Sequence, residues 1–315
     1  MFLSCGDALF DVFAEPDADV SRIGLRAVVG GSPLNVALGL ARLGHPAGFF
    51  TKVSSDLFGR RLRDFMSAEA IDPRFLIPTD RNTTLAIVSL AKSGSAEYSF
   101  YIDGTADRSI EPDEVPADLP RELDAIHVAS YSTVTEPTAS ALVRLIAQEK
   151  DRRFISYDPN IRASIEPDLD IWRAKVAEIV PSAALVKASD EDLAQLYPGR
   201  ALETVLSDWV SAGASLAIVT RGEKGAIALS SSGVGATMDG LAVNVVDTVG
   251  AGDTFQAATL AKLKEDGAMS RAGLAALDTA GLQSLLRFAV RAAAITCGRR
   301  GADLPRRADL GLPPL

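Results

Sequence analysis

Short apolar runs alternate with longer amphipathic segments along most of the chain. The short runs are rich in β-branched and aromatic residues and predict strands at 2–6, 47–53, 124–129, 154–157, 185–187, 216–220, 225–230 and 234–238. The longer segments repeat apolar residues at helical spacing and predict helices at 34–43, 57–69, 137–149, 171–179, 202–212, 254–263, 271–277 and 281–297. This alternation indicates an α/β fold with a doubly wound, mostly parallel sheet and helices on both faces.

Two stretches, about 8–30 and 83–102, depart from this alternation. They lack helical periodicity and in places alternate apolar with polar residues, and Ser93-Gly94 predicts a hairpin turn between two short strands. We expect these stretches to form a small β-lid that projects from the main sheet. No internal repeat or low-complexity segment divides the sequence, so residues 1–315 are interpreted as a single domain.

Composition narrows the possible functions. With 47% hydrophobic residues among 315, the chain can bury a sizeable core, and its net charge of −9 argues against coating nucleic acid. Cys5 and Cys297 lie in apolar stretches and are interpreted as buried thiols of a reducing cytosol, while His45 and His127 are too scattered for a zinc site. Neither a signal peptide nor an apolar run of about 18 residues is present, so we expect a cytoplasmic protein without a membrane span.

The strongest local motif is Gly250-Ala251-Gly252-Asp253, where a β-like run ends and a helix begins. Small residues let the backbone approach a ligand closely, and free N–H groups at a helix start bind anions. Asp253 would repel such an anion unless it served to accept a proton from an attacking hydroxyl. A local alternative stays open at this point, because Asp is also a common N-cap residue.

Two further motifs place polar residues where ligands bind in α/β sheets. Gly30 and Gly31 lead into the helix predicted at 34–43, and Asn35 lies on its first turn. Asn160 and Arg162 directly follow the strand predicted at 154–157. The alternatives are an ordinary loop-to-helix junction for the first motif and an Asx-turn with a surface arginine for the second.

A fourth motif, which includes Thr220, Gly222 and Gly225, follows the strand predicted at 216–220. Two glycines flank a charged turn in this segment. By itself such a turn is typical of a hairpin.

In this order, the four motifs resemble the ribokinase-like family, also called the phosphofructokinase-B sugar kinases, over essentially the whole chain. Gly30-Gly31-(x)3-Asn35-(x)-Ala37 is similar to the N-terminal signature of that family. Asp247-Thr248-(x)-Gly250-Ala251-Gly252-Asp253 is similar to its C-terminal signature. The resemblance implies an ATP- and Mg²⁺-dependent sugar kinase in which Asp253 is the catalytic base and residues 250–252 hold the transferring phosphoryl group.

The same resemblance implies roles for other positions. Sugar contacts would come from Asp11, Gly30, Gly31, Asn35, Tyr101, Arg108 and Arg162. Nucleotide contacts would come from Asn160, Lys187, Ser189, Thr220, Gly222 and Gly225. Where the family has Asn-x-x-Glu near magnesium, this chain has Ser189-Asp190-Glu191-Asp192, so the shorter Asp192 would reach Mg²⁺ through water. Asp247 would lie near a monovalent cation such as K⁺.

The resemblance also bears on the substrate. The segment 158–162 resembles fructokinases and ketodeoxygluconate kinases, and residues 104–108 are similar to fructokinases. Together they imply phosphorylation of fructose; 2-keto-3-deoxygluconate and other pentoses, hexoses or nucleosides are the alternatives. A sugar-sensing pseudokinase would be expected to lack the base or the anion loop. A dinucleotide oxidoreductase would need Gly-x-Gly-x-x-Gly after the first strand, which is not there. The chain is expected to be a monomer, or a homodimer that pairs through the lid.

Overall fold

The computed structural model describes residues 1–15, 21–90 and 96–315. The strands are β1 (Phe2–Cys5), β2 (Leu9–Glu15), β3 (Gly24–Gly30), β4 (Ala47–Ser54), β5 (Leu76–Thr79), β6 (Thr84–Leu90), β7 (Ala96–Tyr101), β8 (Ala125–Ala129), β9 (Phe154–Asp158), β10 (Leu185–Ser189), β11 (Leu216–Thr220), β12 (Ala226–Ser230) and β13 (Gly235–Met238). The α-helices are α1 (Ser32–Arg42), α2 (Leu57–Ala68), α3 (Thr138–Glu149), α4 (Leu169–Ile179), α5 (Asp190–Leu196), α6 (Leu202–Ala212), α7 (Ala251–Glu265), α8 (Arg271–Ala275) and α9 (Thr279–Cys297).

The main sheet has nine strands in the order β13-β12-β11-β10-β9-β8-β1-β4-β5. From β11 to β5 every neighbouring pair is parallel, whereas β12 and β13 join one edge in antiparallel orientation. The predicted mostly parallel sheet is therefore confirmed. Because its parallel strands point the same way, the residues that follow β9, β10 and β11 meet at one edge.

Helices cover both faces of this sheet. On β11, Leu216 and Ile218 belong to an apolar cluster with α1, α7, α8 and α9. Ala217 and Val219, which alternate with them, belong to a second cluster with α3, α4, α5 and α6. Successive strand residues point to opposite faces, so one strand contributes to both cores. The expected doubly wound arrangement is confirmed.

Within the stretches predicted as a lid, the described strands form a separate four-stranded sheet in the order β3-β2-β6-β7. β2 pairs antiparallel with β3 and parallel with β6, and β6 pairs antiparallel with β7. The expected small β-layer is thus present. The turn predicted at Ser93-Gly94 lies outside the described residues. On β3, Leu25 and Val28 are 53% and 37% exposed, so this strand presents apolar side chains to solvent.

Some features differ from the sequence prediction. The short helix α5 and the edge strand β5, which contains Pro78, are not among the predicted elements. Cys5 is buried as expected, but Cys297, at the end of α9, is only partly buried, because an amphipathic helix leaves one side open to solvent. Among the helices that the structure describes, none is long and apolar enough to cross a membrane.

Candidate active site

The first turn of α7 presents unpaired backbone donors at the carboxyl edge of the sheet. Gly250 precedes the helix in the left-handed conformation, with φ 78°, which glycine adopts without strain. The Ala251 N–H donates to the Thr248 carbonyl at 3.2 Å. The N–H groups of Gly250, Gly252 and Asp253 donate to no described residue. Three free donors at the positive end of a 15-residue helix make a site for an anion.

The carboxylate of Asp253 lies beside these donors and is held from α1. Its Oδ1 accepts a hydrogen bond from Ser32 Oγ at 2.7 Å, and its Oδ2 accepts one from Asn35 Nδ2 at 2.8 Å. Ser32 and Asn35 lie three residues apart on the first turn of α1 and therefore face the same side. Asp253 is the third residue of α7 and Gly250 is its N-cap, so Asp253 does not cap its own helix. The carboxylate is only 6% exposed and can accept a proton from a hydroxyl placed beside the anion site.

Asp11, on β2, lies next to Gly30, the residue that ends β3 just before α1. A Cβ on Gly30 would overlap Asp11 Oδ2, so a larger residue there would force this carboxylate to move. Burial raises the pKa of Asp11 to about 6, with Asp253 adding to the rise and Arg162 opposing it. These influences indicate that Arg162 and Asp253 lie close enough to Asp11 to interact with it electrostatically. Arg162 is exposed, and its Nη1 donates to the Ile161 carbonyl at 2.9 Å.

Asp7 binds the backbone at the start of α1. The sequence did not predict Asp7 as a site residue. Its Oδ1 accepts a hydrogen bond from Ser132 Oγ at 2.6 Å, and its Oδ2 accepts one from the Ser32 N–H at 3.2 Å. Burial raises the pKa of Asp7 to about 7, against the lowering effect of the Ser132 hydroxyl. Asp7 thus fixes the backbone of the residue whose hydroxyl holds Asp253.

The segment after β9 contributes to the same network. Asn160, with φ 42°, donates from Nδ2 to Ser32 Oγ at 3.2 Å. Lys187, on β10, donates from Nζ to Asp158 Oδ2 at 2.5 Å and lies 3.4 Å from the Gly252 carbonyl. Burial opposes the charge of Lys187, but the Asp158 carboxylate outweighs it and raises the pKa of the ammonium group. A buried cation therefore lies next to the first turn of α7.

Asp192 joins α5 to this segment. Its Oδ1 accepts a hydrogen bond from the Ile161 N–H at 2.8 Å, and its Oδ2 accepts from the Ser189 N–H at 3.0 Å and from Ser189 Oγ at 2.7 Å. These bonds occupy both oxygens, so direct coordination of a metal ion would compete with them. Asp192 fits a contact through water better than a direct one. No group of three or more His, Cys, Asp or Glu suited to a metal ion occurs in the described part of the chain.

The remaining candidates lie around this centre. Thr220 ends β11 and pairs with Ser189 at the end of β10, so both lie at the carboxyl edge. Gly222 and Gly225 belong to the turn that joins β11 to the antiparallel β12, so this segment is a hairpin. Asp247 accepts hydrogen bonds from the N–H groups of Val249 at 3.1 Å and Gly301 at 2.8 Å.

Tyr101 and Arg108 are not joined to this network. Tyr101 is 61% exposed. The Nη1 of Arg108 donates to the Ile102 carbonyl at 3.1 Å and lies 3.7 Å from Asp103. Within the described residues, neither side chain forms a hydrogen bond with Asp11 or Asp253. The structure therefore brings together most, but not all, of the residues proposed from sequence.

A base candidate, an anion loop and polar strand ends at one sheet edge are the parts that phosphoryl transfer to an alcohol requires. Residues 3–309 match the model of the pfkB family carbohydrate kinases. The chain belongs to this family. The carbohydrate kinase is 35% identical to a fructokinase of Rhizobium leguminosarum bv. trifolii over 284 residues, which cover 90% of this chain and 86% of that protein.

Solved structures resemble the carbohydrate kinase over nearly its full length. Fructokinase with bound ATP from Xylella fastidiosa is 25% identical, with a TM-score of 0.87, and the match covers 98% of this chain and 96% of that one. A double mutant of fructokinase from Vibrio cholerae O395, in a form with bound fructose, ADP and potassium ion, is 26% identical with a TM-score of 0.83. This match covers 98% of this chain and 96% of that one. The likeness extends to the whole ribokinase-like fold, including the small sheet.

Proposed function

We propose that this carbohydrate kinase transfers the γ-phosphoryl group of ATP to a hydroxyl of fructose. The observation that carries the proposal is the Asp253 carboxylate, buried beside three free N–H groups at the start of α7. The similarity to fructokinases, including structures with bound ATP and with bound fructose and ADP, supports the choice of both substrates.

Asp253 acts as the general base in this proposal. As the sugar oxygen attacks the γ-phosphorus, the hydroxyl proton passes to the Asp253 carboxylate. The new oxygen–phosphorus bond forms while the bond to the bridging oxygen breaks, and ADP leaves with that electron pair. The free N–H groups of Gly250, Gly252 and Asp253 stabilise the negative charge on the transferring group. Proton removal of this kind contributes roughly 10²–10⁴ in rate.

The two substrates bind on opposite sides of Asp253 in this proposal. Asp11 and the first turn of α1, with Gly30, Gly31 and Asn35, bind hydroxyls of the sugar. ATP lies along the carboxyl edge of the sheet, against Thr220 and the turn after it. The sheet β3-β2-β6-β7 acts as a lid that excludes water from the reaction.

Magnesium and a monovalent cation complete the proposal. Asp192 would hold Mg²⁺ through water, and the ion would neutralise phosphate charge. The loop that Asp247 holds through Val249 and Gly301 would bind K⁺. Ser32 and Asn35 hold the Asp253 carboxylate between the anion loop and the residues proposed to bind the sugar.

Fructose is favoured over 2-keto-3-deoxygluconate by the 35% identity to a fructokinase over 90% of this chain. Arg108 lies 3.7 Å from Asp103, which offsets part of its charge, whereas Arg162 donates to the Ile161 carbonyl and keeps its charge for a substrate. A sugar sensor without catalysis is disfavoured, because both the base and the anion loop are in place.

Release of ADP from ATP in the presence of single sugars tests the proposal. Fructose, 2-keto-3-deoxygluconate, ribose, glucose and adenosine are compared by kcat/KM with Mg²⁺ present. We expect fructose to give the highest value, and the same preparation carrying Asp253→Asn controls for contaminating kinases. A higher kcat/KM for another acceptor would reject fructose, and absence of sugar-dependent turnover would reject the kinase mechanism.

A further inference from the structure

A cavity of about 530 Å³ lies at the opposite edge of the main sheet from Asp253. It is lined by residues that precede β8, β9 and β10 and by residues after α7. Six of its lining side chains are cationic: Arg121, Lys150, Arg152, Arg153, Lys264 and Arg271. Two are acidic, Asp124 and Asp151, which leaves an excess of four positive charges in a chain whose net charge is −9.

Neighbouring carboxylates only partly neutralise these cations. Asp124 is shared between Lys264 Nζ at 2.7 Å and the N-terminal ammonium of Met1 at 2.6 Å. The buried Glu149 is likewise shared between Arg152 at 2.9 Å and Arg153 at 3.4 Å. In both clusters one carboxylate faces two cations, so each keeps a positive charge.

Arg271 is fixed in the wall by neutral acceptors. Its Nη1 donates to the Gly213 carbonyl at 2.6 Å and to Ser215 Oγ at 3.2 Å, and its Nη2 donates to the Ser182 carbonyl at 3.0 Å. These partners orient the guanidinium without cancelling its charge. The wall of the cavity thus holds one cation in a fixed orientation.

Lys150 and Arg121 are two exposed cations of the cavity. Neither side chain has a hydrogen-bond or ion-pair partner among the residues that the structure describes. Long cationic side chains at the rim of a cavity can close on an anion, and guanidinium groups match the oxygens of phosphate in particular.

We propose that this cavity binds a small molecule carrying two or more phosphate groups. The volume is in the range of ordinary small-molecule sites, and the excess positive charge requires a ligand with several negative charges. The site is separate from the nucleotide edge, since the strands run between them. It also does not depend on which sugar the enzyme phosphorylates.

Isothermal titration calorimetry with inorganic pyrophosphate tests this site. The full chain is first saturated with ADP and fructose, so that the catalytic edge is not available to the probe. We expect saturable binding with one pyrophosphate per chain. Lys150→Glu and Arg121→Glu should each weaken this binding by at least about tenfold, because reversal turns an attraction into a repulsion. Both variants keep their fold, since neither side chain has a partner to lose.

Arg144→Glu is the matched control. Arg144 is an exposed residue of α3, six positions before Lys150, and does not line the cavity. Its reversal changes the net charge equally and should leave pyrophosphate affinity within about twofold. Absence of saturable binding, or equal weakening by Arg144→Glu and Lys150→Glu, would overturn the proposal. Citrate binding as tightly as pyrophosphate would overturn the assignment to phosphate.

Discussion

Asp253→Asn removes the proposed base with little change of shape. Asn35 Nδ2 can still donate to the amide oxygen, and the new amide nitrogen can donate to Ser32 Oγ once that hydroxyl has rotated. The hydrogen-bond network therefore survives, and we expect the free energy of unfolding to change by less than about 1 kcal/mol.

The loss of turnover should be far larger than the loss of stability. Removal of a general base costs roughly 10²–10⁴ in kcat, which corresponds to about 3–5 kcal/mol in activation free energy. The KM values for fructose and ATP should stay within about threefold, because the sugar side and the nucleotide edge are unchanged. Steady-state ADP release at saturating substrates measures kcat, and calorimetry measures binding of fructose.

Ser32→Ala provides the comparison for Asp253→Asn. It removes the 2.7 Å hydrogen bond to Oδ1 but keeps the carboxylate, so kcat should fall by no more than about tenfold. If Asp253→Asn kept kcat within tenfold of the wild type, or lost no more than Ser32→Ala, the role of Asp253 as base would be refuted.

Three further predictions concern the surroundings of the site and the core. Gly30→Ala places a Cβ on Asp11 Oδ2 and should raise the KM for fructose about tenfold at unchanged KM for ATP; an unchanged KM for fructose would contradict the role of Asp11. Asp7 has a pKa of about 7 in the folded protein and near 4 in the unfolded chain. Between pH 4 and pH 7 the folded protein therefore keeps a proton that the unfolded chain has released, and stability falls as pH rises through this range. Asp7→Asn should therefore gain stability relative to the wild type from pH 5 to pH 8 in urea titrations, by on the order of 2–4 kcal/mol, and a constant difference would refute this. Trp172→Ala, at a fully buried position whose Nε1 donates to the Glu166 carbonyl, should cost about 3–5 kcal/mol in the same assay, and a loss below about 1 kcal/mol would contradict its core role.

Long periodic segments made most of the fold predictable. The helix predicted at 202–212 coincides with α6, and the strand predicted at 216–220 coincides with β11, because burial of one face imposes a clear period. The helix α5 was missed because it has only seven residues and three acidic residues at its start. β5 was missed because Pro78 disfavours a strand, although an edge strand tolerates it.

The sequence motifs of the site were predictable, but the contacts between residues from distant parts of the chain were not. The motif around Gly250 indicated the anion loop, yet only the fold shows that Asp253 is held from α1 rather than within α7. Ser32 was not proposed, although its spacing of three from Asn35 places both on one face of a helix. Asp7 was missed because a buried carboxylate with two donors depends on Ser132, a distant residue of the chain.

In the proposed mechanism, the attachment of Asp253 to α1 couples substrate choice to catalytic rate. Both donors that hold the carboxylate lie on the first turn of α1, which follows Gly30, the glycine that faces Asp11. A mutation that reshapes this turn to admit a different sugar will therefore also move the proton acceptor. Engineering of acceptor specificity in this enzyme should therefore start from β6 and β7, the strands of the small sheet that do not run into this turn.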